Sequence, residues 1–235
     1  FTGEVFDAVT PGHATPHAGR TALFDDGTGD VTLFDTDAVG TGTLPESQTV
    51  ESEAAHHGVA IELSDGTLLS TIGTSESRSG VRLLADDGSE LARDEQCPGV
   101  HGEGALKGET IVFGCEDGVL VFADGAFTKL DAPDAFGRSG NAYVTDTSAI
   151  AALDYKSDPD QEGYLLSQLA LVDTDAQTLS VVALPEGVEY TWRGVGRDGH
   201  DNIIVLASDG TLNVLDEAGA LVDSWDVIEL SLIHI

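Results

Sequence analysis

CPGVHGEGALKGETIVFGC, residues 97 to 115, is the stretch from which the fold is read. It carries the only two cysteines, Cys97 and Cys115, and a glycine-flanked pair, His101 and Glu103. The apolar run Thr110-Ile111-Val112-Phe113-Gly114 comes next, and Glu116-Asp117-Gly118 leads into Val119-Leu120-Val121-Phe122. Short apolar runs broken by Asp-Gly are the pattern of strands joined by tight turns. The stretch predicts a strand carrying His101 and Glu103, a turn near Lys107-Gly108, a second strand, a turn at Asp117-Gly118 and a third strand. Residues i and i+2 of a regular strand share a face. On that rule, His101 and Glu103 present an imidazole and a carboxylate together.

Outward from this stretch the same unit recurs, and helical periodicity is nearly absent. Ala22-Leu23-Phe24 turns at Asp25-Asp26-Gly27 toward Val31-Thr32-Leu33-Phe34. Val59 to Leu63 turns at Asp65-Gly66 into Thr67-Leu68-Leu69-Ser70, and Val81 to Leu84 turns at Asp87-Gly88. Ile203 to Leu206 turns at Asp209-Gly210 into Thr211 to Leu215. Openings at His13, His56, His101, Gly140 and Gly194 give an irregular period of about 45 residues, the spacing of β-propeller blades. A β-sandwich has no such repeat. The expected fold is all-β, a β-propeller with about five blades visible, an incomplete copy of a larger ring. Residues 1–235 are read as a single propeller domain or a fragment of one, with loops at 40–45 and 157–163. The apolar end, Ser231-Leu232-Ile233-His234-Ile235, reads as a non-native tail, so His234 is set aside.

Composition bounds the partners. The chain of 235 residues has 10 Lys and Arg against 42 Asp and Glu, a net charge of -32. Such a surface repels nucleic acid and anionic lipid; it suits solubility, a salty medium, cations or a basic partner. No apolar run reaches the length of a membrane span, so no membrane insertion is expected. The sequence starts at Phe1 and lacks Met throughout, which fits a mature or truncated product.

Five of the seven histidines gather at the block openings. His13 and His17 are four apart and share a face of an extended chain; His56 and His57 point to opposite faces, so one of the two is expected inward. In a propeller, the first strand of each blade lines the central channel. Three successive blades thus send histidine toward one axis. Neutral imidazole with a carboxylate suits zinc, which takes about four ligands. The plainer alternative for any one histidine is a hydrogen-bonded residue at a blade edge. His200 sits in the turn Asp198-Gly199-His200-Asp201 and reads as solvent-facing. Cys97 and Cys115 can form a disulfide, bind metal or stay thiols. No Cys-x-x-Cys is present, and a disulfide across adjacent strands fits best. It closes a loop of about 19 residues, worth roughly 3 kcal/mol in the chain-entropy view, and implies an oxidising compartment.

At these residues the chain resembles the AztD-type periplasmic zinc metallochaperones. The matching stretches are Pro11-Gly12-His13-Ala14-Thr15-Pro16-His17, His56-His57-Gly58-Val59-Ala60, Cys97-Pro98-Gly99-Val100-His101-Gly102-Glu103 and Phe113-Gly114-Cys115-Glu116-Asp117-Gly118-Val119-Leu120. They fall within residues 10 to 125; beyond that the likeness is a general propeller pattern. The family's His-rich N-terminal tract, which adds a second, weaker zinc site, has no counterpart in this sequence. The resemblance implies a β-propeller that binds Zn2+ through channel histidines and a carboxylate, in the periplasm or outside the cell. It implies delivery of zinc to the solute-binding protein of a zinc ABC importer. The expected ligand set is His13, His17, His56, His57, His101 and Glu103. His101 and one of His56 or His57 are joined by His13 or His17, and Glu103 acts as fourth ligand or as the acceptor that orients a ligand. Protons compete with metal for imidazole, so affinity is expected to fall below about pH 6. No catalytic residue is assigned, because no nucleophile elbow, P-loop or dinucleotide fingerprint occurs. The alternatives are a propeller scaffold for protein interaction without metal, and a metal-dependent hydrolase or lyase with Glu103 as base.

Overall fold

The computed structural model describes residues 3–161 and 164–228; the tail at 231–235 and His234 lie outside them. The described residues form five four-stranded sheets, each a meander of consecutive strands. Among the described residues, helix is confined to two three-residue 3-10 turns, Thr36–Ala38 and Lys107–Glu109. The fold is all-β and its sheets are the blades of a β-propeller. Two compact units divide the chain, residues 1–103 with 125–127 and residues 104–124 with 128–235.

The first unit holds two complete sheets. One runs β1 (Pro11–His17), β2 (Arg20–Asp25), β3 (Val31–Asp35) and β4 (Ser47–Val50). The other runs β5 (Ala60–Glu62), β6 (Leu68–Gly73), β7 (Arg78–Leu84) and β8 (Glu90–Asp94). Their facing sides make one core, with Ala22, Phe24, Val31 and Leu33 against Ala60, Leu68 and Leu84. β9 (His101–Ala105) opens in this unit with His101, Gly102 and Glu103.

The second unit continues with β10 (Ile111–Gly114), β11 (Gly118–Ala123) and, from Thr128 on, β12 (Ala126–Asp131). A fourth sheet follows: β13 (Ala142–Tyr143), β14 (Ile150–Asp154), β15 (Gln168–Asp173) and β16 (Thr178–Ala183). The fifth is β17 (Tyr190–Arg197), β18 (Ile203–Ala207), β19 (Thr211–Leu215) and β20 (Leu221–Asp226). One core joins Val112, Val119 and Val121 to Ala151, Leu153, Ala170 and Val172. Another joins Leu169 and Leu171 to Tyr190, Ile203, Val205 and Leu215. Middle strands are buried on both faces, which explains their unbroken apolar runs: Ile111 to Gly114 pairs with Val119 to Phe122, every residue buried. Outer strands face water, and β4 and β20 are almost wholly exposed.

The turns follow the sequence chemistry. The carboxylates of Asp65, Asp87 and Asp209 each accept from the backbone N–H two residues on, at 2.9 Å, closing the Asp-Gly turns. The side-chain hydroxyls of Thr67, Ser89 and Thr211 add a second donor to the same oxygens. The expected first strands, near His13, Val59, His101, Gly140 and Gly194, correspond to β1, β5, β9, β13 and β17. Cys97 and Cys115, both buried, are disulfide-bonded.

Candidate metal centre

Three histidines converge within the first unit. Ring nitrogens of His13, His57 and His101 all lie within 4.8 Å of one another, the one group of this kind among the described residues. They come from β1, from the segment just before β5 and from the first residue of β9. His57 Nε2 lies 3.0 Å from His101 Nε2. Ring centroids are 5.3 Å apart for His13 and His57, and 5.0 Å for His13 and His101. Two nitrogens on one tetrahedral zinc, each about 2.0–2.1 Å from it, lie roughly 3.3 Å apart. The His57–His101 spacing is close to that, so the donor set fits a cation of this size. The same spacing is that of a hydrogen bond from one ring to the other.

Local backbone features aim these rings. β1 pairs with β2 at Pro11–Asp25 and again at Ala14–Leu23, so β1 carries one residue more than its partner. That β-bulge falls on Gly12 and His13 and turns the His13 ring out of regular alternation. The bulge is anchored from below: Val9 N and Thr10 N donate to the Asp25 carboxylate at 2.7 and 2.8 Å. Burial pushes the Asp25 carboxyl up, but N–H donors from Val9, Thr10 and Gly27 outweigh it and hold the group below its ordinary range. Gly102, between His101 and Glu103, has φ +66°, in the left-handed region. The chain is therefore not regularly extended there, and the i, i+2 rule does not put His101 and Glu103 on one face. His101 enters the cluster. Glu103 lies outside it, and its Oε1 accepts from Thr15 Oγ1 at 2.6 Å.

The adjacent pair His56 and His57 diverges. His56 is 2 % exposed, with its ring edge-on to Phe24 at 5.1 Å. Its Nδ1 donates to Ala54 O at 2.8 Å, and its Nε2 accepts from Thr71 Oγ1 at 3.0 Å. Ala54 O can only accept, so Nδ1 carries the proton of the neutral ring and Nε2 is its acceptor; Thr71 Oγ1 also accepts from Val59 N. Both nitrogens of His56 are spent, and none is left for a metal. His57 is half-exposed beside a cleft of about 230 Å³ lined by Thr74, Ser75, Glu76, Ser77 and Arg78. His17 ends β1 opposite Arg20 and lies outside the cluster. His200 is exposed in its turn, its N–H on the Asp198 carboxylate at 2.8 Å.

One residue of the site escaped the sequence reading. Asp26 Oδ2 lies 2.5 Å from His57 Nδ1. Asp26 belongs to the Asp25-Asp26-Gly27 turn and resembles every other Asp of an Asp-Gly turn, so nothing local marks it. Only the packing of that turn against the chain around His57 brings the two together.

No family model matches the chain. Over 114 residues, 47% of the chain, it is 30% identical to the zinc chaperone AztD of Citrobacter koseri, and the match covers 27% of that protein. The structure of apo AztD from Citrobacter koseri superposes with a TM-score of 0.74 at 22% identity, over 93% of this chain and 59% of that one. The crystal structure of Citrobacter koseri AztD gives 0.73 at 22% identity, over 93% and 58%. The chain thus spans under two thirds of the length of the AztD chains it matches. In sequence over the matched part and in fold over most of its length, the chain is similar to AztD.

Proposed function

We propose that this chain is a zinc metallochaperone, holding Zn2+ through His13, His57 and His101 and passing it to the solute-binding protein of a zinc ABC importer in the periplasm. The observation that carries the reading is the convergence of three imidazole nitrogens within 4.8 Å. Imidazole is a borderline ligand suited to zinc, and three protein ligands leave a tetrahedral ion one further position. A carrier needs such a position, because an incoming ligand can bind before a resident one leaves. The half-exposed His57 and its adjoining cleft support approach from that side. The disulfide supports an oxidising compartment. Similarity to a zinc chaperone supports cargo rather than catalysis.

The test is direct. Protein purified without chelator is assayed for metal, and zinc affinity is measured by competition. His101→Ala or His13→Ala is expected to weaken zinc binding at least tenfold and leave the fold intact, whereas His200→Ala changes neither. Equal behaviour of His101→Ala and His200→Ala would overturn the site. Transfer is followed by mixing zinc-loaded protein with the apo receptor and a chelator of free zinc. Direct handover fills the receptor and leaves the chelator empty. Capture by the chelator in proportion to its concentration would make the protein a store instead.

A further inference from the structure

We infer that Asp26 is the positioning residue of the centre, holding His57 in the one tautomer that offers Nε2 to a metal, and that Gly12 is required for it to do so. The inference rests on the zinc reading of the three-histidine cluster. Asp26 Oδ2 lies 2.5 Å from His57 Nδ1, and a carboxylate accepts but does not donate when ionised. The proton therefore sits on Nδ1, and the lone pair is left on Nε2. That nitrogen is the one 3.0 Å from His101 Nε2, inside the cluster. The opposite tautomer would face Asp26 with a bare nitrogen and put a proton where the metal must bind. A carboxylate on the far nitrogen of a ligand imidazole also raises its basicity as a donor.

Asp26 is itself fixed by backbone. Its N–H donates to Thr10 O at 2.9 Å, tying the turn to the segment that leads into β1. Oδ1 faces Gly58 N–H at 3.4 Å, a weak contact. On the other side it meets Gly12: a Cβ there would lie 2.2 Å from Asp26 Oδ1 and 2.9 Å from its Cγ. Any side chain at position 12 must displace the carboxylate. The bulge glycine beside His13 thus makes room for the group that orients His57, which links two of the three ligands through one backbone feature.

The experiment uses the full chain, metal-free and metal-loaded. Long-range 15N–1H NMR of the metal-free protein reads the tautomer of each histidine without any ligand present. His57 is expected as Nδ1–H in the unsubstituted protein. Asp26→Ala is expected to mix or invert that tautomer and weaken zinc affinity by about 10–100-fold. Asp26→Asn keeps an acceptor oxygen without the charge, and is expected to retain the tautomer with a smaller loss. Gly12→Ala leaves ligands and carboxylate unchanged in identity, yet is expected to disturb the same His57 resonance. If Asp26→Ala still shows His57 as Nδ1–H and binds zinc as tightly as before, the inference fails while the zinc reading stands. If the unsubstituted protein binds no zinc, the zinc reading fails and takes the inference with it.

Discussion

His56 and His57 are neighbours in sequence with opposite fates. Consecutive side chains of an extended segment point to opposite sides. His57 reaches the cluster, and His56 enters the core between Phe24 and Thr71. His56→Ala is therefore expected to lower stability by roughly 1–3 kcal/mol, through the unpaired acceptor at Ala54 and the lost packing, with zinc affinity unchanged. Its imidazole also makes stability depend on pH. Burial disfavours the charged ring and lowers its pKa, against hydrogen bonds with Ala54 and Thr71 that act the other way. In the unfolded chain a histidine titrates near 6.5, so on acidification the unfolded state takes up this proton first. The contribution is full above about pH 6.5 and declines as the pH falls from there toward the lowered value. The melting temperature of metal-free protein, followed from about pH 7.5 to 5, is expected to drop less in His56→Ala than in the unsubstituted chain.

Among the elements, β9 and its flanks join the chemistry to the scaffold. Cys97 ends the approach to β9, with its N–H on Ser79 O at 3.0 Å, and Cys115 follows β10. Their bond closes a loop of about 19 residues that contains His101 and Glu103, and constrains the unfolded chain by roughly 3 kcal/mol. Thiol labelling of denatured, unreduced protein is expected to find no free cysteine. Reduction, or a Cys97→Ser/Cys115→Ser double variant, is expected to lower the melting temperature by several degrees. It should weaken zinc binding less than His101→Ala does, because neither sulfur belongs to the histidine cluster. An unchanged melting temperature would show that β9 is held by its sheet alone.

For the whole molecule the dominant quantity is charge. With 42 acidic residues against 10 basic ones, the folded state concentrates like charge on its surface. Ion pairs such as Arg93 with Glu53, Glu90 and Glu95 offset only part of it. Self-repulsion among exposed carboxylates is screened over about 10 Å at 0.1 M salt. Raising salt from near zero to that level is expected to raise the melting temperature, the reverse of what a surface held by ion pairs would show. The same field favours a partner with a basic docking patch, whose association should slow as salt rises. A transfer rate indifferent to salt would point to a docking face without that charge complementarity.

The sequence by itself determined the meander. Alternating apolar runs and Asp-Gly turns are local signals, because strand burial and Asx-turn bonds depend on residues at most a few positions apart. The blade openings at His13 and His101 were legible for the same reason, and the cysteine pair because the sequence holds only two. Which histidines meet was not a local matter. The β-bulge at Gly12-His13 and the left-handed Gly102 each break the alternation rule, and a break of one residue changes which way every neighbouring side chain points. Glu103 is thus bonded to Thr15 instead of joining His101. The carboxylate that supports His57 came instead from Asp26, 31 residues earlier. Tertiary structure alone decided that, because a hydrogen bond between distant segments depends on how sheets pack, and packing leaves no mark on the spacing of one chain.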